Sequence, residues 1–170
     1  YFEKIMNEFF FKFRYGIKVY KNVLTDSERK ILVESSKKYL RKISSDHPGL
    51  QSLNYLDRLF KINQDKDAFF LIDKLIKRSK LNNLKMQDCW VNYTDLNRKY
   101  TCWHVHENIK KSLVYYLDSP ENLGTIFRVG CKECQISGME NSMIVFNSDI
   151  EHTVPYNISL PRLSLAMDFV

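Results

Sequence analysis

Several features that would settle the class of a chain at once are scarce or missing here. No apolar run approaches the roughly 20 residues of a membrane span, so no spanning helix is expected. Four cysteines in 170 residues are too few for the dense disulfide framework of a small secreted scaffold. There is no internal repeat and no low-complexity linker, which leaves 1–170 to be organised most simply as a single domain. No secretory signal is legible near Tyr1, where the chain begins without a methionine. A reducing, cytoplasmic setting is the expectation. Histidine is scarce in a telling way: there are only four, and two of them stand one residue apart.

What is present is enough for a packed core. Hydrophobic residues make up 44% and aromatics 14%, a globular rather than a disordered composition. The net charge of +6 is unevenly spread. Residues 1–85 carry 19 Lys/Arg against 10 Asp/Glu, and residues 86–170 carry 7 against 10. The basic surplus therefore lies away from the histidines, as a solvated lysine-rich face would, whereas a nucleic-acid enzyme would hold it around its site.

Residues 1–22 are aromatic-rich, with Phe9, Phe10, Phe11 and Phe13 ahead of an alternating Ile17-Lys18-Val19-Tyr20, and Gly16 between them. A turn of helix followed by a strand is expected, as an apolar flank covering a sheet. Thr25-Asp26-Ser27-Glu28 has capping-box spacing, and Leu32, Ser35, Tyr39 and Ile43 behind it predict a helix to about Ile43. Residues 44–52 are predicted loop. A second helix is predicted over about 66–79, where Phe69, Phe70, Ile72, Leu75 and Ile76 recur at helical spacing. Beyond it the character changes to short β-rich segments at 90–93, 103–106, 112–117, 125–129, 133–136, 143–146, 152–154 and 162–169. Ser119-Pro120, Gly124, Gly130, Gly138, Asn147 and Pro155 are taken as the turns between them. Helices first and many close-spaced strands after predict an α+β, mainly β fold, with N-terminal helices packed on one sheet of a jelly roll. Trp90 and Trp103 are expected in its core.

The chemistry concentrates in Cys102-Trp103-His104-Val105-His106-Glu107. Residues i and i+2 of a strand face the same way, so His104 and His106 would project into one space. His152, on a separate apolar segment, would complete a nitrogen-rich metal site. In Arg162-Leu163-Ser164-Leu165-Ala166-Met167-Asp168-Phe169, the apolar residues 163, 165, 167 and 169 share one face, and Arg162 and Ser164 share the other. A guanidinium on an inward face needs an anionic partner, and a carboxylate matches it in bidentate fashion. Cys131-Lys132-Glu133-Cys134 has zinc-knuckle spacing, and Cys89 and Cys102 could supply two more ligands. No second such pair exists, so ordinary reduced cysteines are expected.

Taken with Tyr115-Tyr116-Leu117, Gly124-Thr125-Ile126-Phe127, Val145-Phe146-Asn147-Ser148, His152-Thr153-Val154 and Arg162-Leu163-Ser164, the His104-Val105-His106 motif resembles the iron(II)/2-oxoglutarate-dependent oxygenases, in particular their prolyl-hydroxylase-like branches. The resemblance covers 86–170 well and 1–85 only in outline. It implies a double-stranded β-helix, with 1–85 a mostly helical support and 86–170 the jelly-roll core holding the metal site. It implies a dioxygenase that uses Fe(II), 2-oxoglutarate as cosubstrate and O2 to hydroxylate a C–H bond, releasing succinate and CO2. The branch implies a protein or peptide (prolyl) substrate. In this scheme His104 and His152 are metal ligands, Arg162 binds the distal carboxylate of 2-oxoglutarate with Ser164 assisting, Tyr93 hydrogen-bonds the cosubstrate, and Tyr100 is a lesser candidate on the substrate side.

One position departs from the family pattern, His-x-Asp, because His106 stands where the acid is usual. Either His106 ligates, or water fills the place, or Glu107, Asp149 or Glu151 reaches in; the two-residue strand period favours His106 over Glu107. Two other classes stay open: a cupin-like metal-binding protein that does not use 2-oxoglutarate, and a nucleic-acid oxygenase suggested by net charge.

Overall fold

The computed structural model describes residues 11–42, 50–94, 103–120, 123–154 and 160–170. Residues 11–15 are helical and lead into β1 (Lys18–Tyr20), α1 (Asp26–Lys37) and β2 (Leu50–Gln51). Two further helices follow, α2 (Leu56–Ile62) and α3 (Lys66–Ser79). The remainder is β3 (Met86–Thr94), β4 (Lys111–Asp118), β5 (Leu123–Val129), β6 (Lys132–Ser137), β7 (Met143–Asn147), β8 (Glu151–Thr153) and β9 (Arg162–Phe169). No helix among the described residues is long and apolar enough to cross a membrane.

The capping box at α1 is present. The Thr25 hydroxyl accepts from the Glu28 amide at 3.3 Å, and Glu28 Oε2 accepts from the Thr25 amide at 2.9 Å. The helix stops at Lys37, short of the predicted end, because Arg41 leaves it to exchange two backbone bonds with Gln51. Ile43 and most of the predicted loop lie outside the described residues, but Leu50 and Gln51 form a strand rather than loop. Helix α3 has its predicted bounds, with the Asp65 carboxylate capping the Ala68 amide and Lys80 in the left-handed conformation at the other end. Its buried face is Ala68, Leu71, Ile72 and Leu75, while Phe70 points outward. Helix α2 was not predicted from the sequence.

The strands form a six-stranded sheet in the order β1-β7-β4-β9-β3-β2 and a three-stranded sheet in the order β6-β5-β8. All paired strands within them are antiparallel. Strand β9 lies between β4 and β3, and all eight of its residues are buried. Its period-two division holds as predicted. Leu163, Leu165, Met167 and Phe169 pack with Leu32, Phe60 and Leu75 of the three helices. A second, smaller core lies between the sheets and includes Tyr116, Phe127, Ile144 and Phe146, joined by Phe11 and Ile17 from the aromatic N-terminal flank. Phe9 and Phe10 lie outside the described residues, and Phe13 is 81% exposed. Helices on one side and a second sheet on the other make this the expected double-stranded β-helix with N-terminal helical support.

Gly124 is not a turn residue, in contrast to the sequence-based expectation, whereas Gly138 stands as expected in the connection between β6 and β7. Gly124 lies within β5, and its backbone meets that of Gly138 just after β6. A Cβ on Gly124 would lie 2.0 Å from the Ile136 carbonyl oxygen, and one on Gly138 would lie 2.4 Å from the Gly124 Cα. Only glycine allows this approach. It sets the course of the chain beside Leu123, whose carbonyl accepts from Arg162. Gly130, at φ +58°, does occupy a turn, the one joining β5 to β6. Gly124→Ala should cost about 2–3 kcal/mol in urea denaturation, as overpacking against backbone does; a loss below about 1 kcal/mol would show that the two segments separate freely.

Candidate metal centre

The stretch 103–106 is not a regular strand. It is held to the end of the three-stranded sheet by single contacts: His104 and His152 exchange backbone bonds at 3.1 and 3.0 Å, and the His106 amide donates to the Ser148 carbonyl at 3.0 Å. The extended geometry survives, and so does its consequence. His104, His106 and His152 each offer one nitrogen, all within 4.8 Å of one another. The three rings lie 4.4–5.2 Å apart between centroids. His104 is exposed, His106 half-buried and His152 buried, so the cluster descends from the rim of a cavity into it.

Two of the imidazoles are oriented by their other nitrogen. His152 Nδ1–H donates to the Ile150 carbonyl at 2.9 Å, which leaves Nε2 as its lone-pair nitrogen. Burial, then the neighbouring His104, pushes the His152 pKa down to about 3, so the ring is neutral at pH 7. His106 Nδ1–H donates to Asp168 Oδ2 at 2.6 Å. The other carboxylate oxygen of Asp168 accepts from the Ser112 hydroxyl, also at 2.6 Å, and Ser148 donates to Ser112 at 2.8 Å. Glu107 and Asp149 are exposed, Glu151 lies 3.7 Å from Arg128, and none of the three joins the cluster.

The cavity has a volume of about 340 Å³, within the range of small-molecule sites. One wall is the inner face of β9, with Arg162, Ser164, Ala166 and Asp168 in sequence along it. Cross-strand partners on β3 continue the wall: Thr94 opposite Arg162, Asn92 opposite Ser164 and Trp90 opposite Ala166. Arg162 is 3% exposed, donates from Nη1 to the Leu123 carbonyl at 2.7 Å and lies 5.5 Å from the centre of the Tyr116 ring. Three imidazoles whose nitrogens converge within 4.8 Å fit a borderline divalent cation, and a buried guanidinium on the same wall fits an organic anion.

Tyr93 borders the cavity while packing against the helix-side core, since β3 parity places Asn92 and Thr94 on the inner face. Tyr100 and Cys102 lie outside the described residues. Trp90 and Trp103 are not core residues: Trp90 lines the cavity, its ring centre 6.0 Å from that of His106, and Trp103 lies under Arg128 at 3.7 Å. Sequence reasoning also missed Asp168 and Ser112. Asp168 shares the parity of Arg162 and Ser164, and that was its only signal. Cys89 is buried in the helix-side core and Cys134 packs against the other, so they form no common site. The three histidines are the one such cluster among the described residues.

In the metal-free protein His152 gives stability a defined pH dependence. Its folded-state pKa of about 3 lies below the ordinary value of 6.5, so the unfolded chain binds the extra proton. Its contribution is complete above about pH 6.5 and declines towards pH 3, by a few kcal/mol at most. Urea midpoints across that window should fall more steeply for wild type than for His152→Asn; equal slopes would contradict this assignment.

No protein-family model matches the sequence, and no curated protein matches it. Solved structures do. A prolyl hydroxylase from Trichoplax adhaerens, in complex with a hypoxia inducible factor oxygen degradation domain peptide fragment, matches with a TM-score of 0.67 at 13% identity, over 98% of this chain and 89% of that one. The non-heme alpha ketoglutarate dependent epimerase SnoN from nogalamycin biosynthesis matches with a TM-score of 0.70 at 10% identity, over 94% and 80%. HygX from Streptomyces hygroscopicus, with nickel and 2-oxoglutarate bound, matches at 0.64 and 12% identity, over 95% and 85%. At such identities the likeness establishes a shared double-stranded β-helix, and the chemistry has to be argued from the residues.

Proposed function

We propose that this chain is an Fe(II)/2-oxoglutarate-dependent dioxygenase that hydroxylates a C–H bond, converting 2-oxoglutarate to succinate and CO2, and that its substrate is a protein or peptidyl proline. One observation carries the reading: three imidazoles that can share a cation and a buried guanidinium stand on the walls of a single cavity. Residues 86–170 would carry the chemistry and 1–85 would support it, within one domain.

His104, His106 and His152 would hold the iron. When bound, iron with 2-oxoglutarate supplies the activation of dioxygen and the hydrogen abstraction. The chain supplies position and exclusion of water. Arg162 would take the distal carboxylate of 2-oxoglutarate, with Ser164 beside it on the same face of β9. Thr94, Tyr116 and Thr125 surround that end, and burial strengthens the charge pairing there. Tyr93 would reach the cosubstrate from the edge of the cavity. His104 stands at the open rim next to the exposed Val105, where an extended peptide has access. The peptide complex of the Trichoplax hydroxylase is consistent with that choice.

The all-imidazole donor set supports a second reading, a cupin-like metal protein without 2-oxoglutarate, in which Arg162 serves packing alone. A nucleic-acid substrate is disfavoured by the charge distribution, because the cavity belongs to the half with more acidic than basic residues. Wild-type protein should form succinate only with Fe(II) and 2-oxoglutarate together. Arg162→Ala should lower kcat/KM for 2-oxoglutarate by about 100-fold, the loss of a charge-assisted bidentate contact. Calorimetry detecting no 2-oxoglutarate binding to metal-loaded protein would favour the second reading, and undiminished turnover by the variant would refute the role of Arg162.

A further inference from the structure

We infer that Asp168 is the carboxylate of this metal centre, displaced by one side chain: it does not face the cation but holds His106 as an anionic, orienting partner. The inference rests on the reading of the three histidines as metal ligands. A His-x-Asp motif would give the metal two imidazoles and one negative charge, and His106 removes that charge from the donor set. The structure places a carboxylate 2.6 Å behind the same imidazole.

The arrangement is built rather than incidental. Asp168 is 5% exposed, on one of the two middle strands of the larger sheet. Its nearest cross-strand neighbour on β4 is Ser112, whose hydroxyl donates to the second carboxylate oxygen. Ser148 donates to Ser112 in turn, and its carbonyl accepts from the His106 amide. The ring and the backbone of His106 are thus tied to one connected group of three side chains. A buried carboxylate is costly unless its oxygens are satisfied, and here each has a donor at 2.6 Å.

Two effects follow from this geometry. Donation from Nδ1 fixes Nε2 as the lone-pair nitrogen of His106, so the ring is set for ligation before a metal arrives. The carboxylate also draws on the imidazole N–H, which makes the opposite nitrogen a stronger donor. His152, whose Nδ1 meets a neutral carbonyl instead, receives only the first effect. Asp168 is therefore a positioning residue, the source of the negative charge that the donor set lacks.

The test is a Co(II) titration of the full chain, read by visible absorption and calorimetry, on wild type, D168N, D168E, H106A and D168N/H106A. D168N should weaken Co(II) binding by about 10–100-fold, and D168E should recover most of the loss. In the H106A background, D168N should change affinity by less than about threefold, because its effect passes through that ring. An equal loss with and without His106 would mean a structural role, and D168N within about twofold of wild type would mean none; either overturns the inference. Should D168N fail to fold, nitrogen-15 NMR of the metal-free wild type decides the matter: His106 protonated on Nδ1 upholds the inference, and protonation on Nε2 alone overturns it. A wild type that binds no Co(II) would sink the metal reading with it. Co(II) binding that is indifferent to Asp168 would sink this inference and leave that reading standing.

Discussion

A reciprocal pair of backbone hydrogen bonds between His104 and His152 determines whether this molecule has a site at all. The two residues come from opposite ends of the β-rich half, and neither lies in a strand long enough to align the other through a ladder. Each bond contributes on the order of 1 kcal/mol net. Their value lies in register: with His104 opposite His152, the two-residue period carries His106 to the same side, beside Ser148. A slip of one residue would turn both rings away from the cavity and present Val105 to it.

The electrostatics of the cavity are arranged along β9. A fixed cation, Arg162, stands near one end of its inner face and a fixed anion, Asp168, near the other, with Ser164 and the small Ala166 between. Both charged side chains are almost fully buried, which makes each dependent on close partners. Arg162 has the Leu123 carbonyl and the face of Tyr116; Asp168 has Ser112 and His106. The pairing of Arg162 in turn depends on two glycines, because the path of the chain at Leu123 is set where Gly124 and Gly138 meet.

Much of this was legible in the sequence, for identifiable reasons. Strand β9 announces itself because alternation of apolar and polar residues has one simple solution when both faces are covered. The three histidines stand out through scarcity and the i, i+2 spacing, and the helix at 66–79 through its periodicity. What stayed hidden depends on tertiary partners. Helix α2 is seven residues long and has no side-chain cap, so its signal is confined to the short spacing of Leu56, Leu59 and Phe60. The early end of α1 reflects a pairing with Gln51 that only the folded chain brings about. Gly124 and Gly138 carry the ordinary mark of turns, and only their mutual contact gives them another purpose. Trp90 has the composition of a core residue, but strand parity aims it at the cavity. Asp168 shares a face with Arg162 and Ser164, and only the fold brings Ser112 and His106 to its carboxylate.

The strict two-sidedness of β9 also bears on how such a chain can diverge. Substitutions on its outer face are felt in the helix-side core, and those on its inner face in the cavity and its walls, so the two sets meet different surroundings. An insertion or deletion within the strand is not confined to either, because it would exchange scaffold for chemistry along everything beyond it. The same backbone path is accordingly compatible with sequences as unlike as the 10–13% identity seen against the solved structures above. In this strand the count of residues matters more to the fold than their identity.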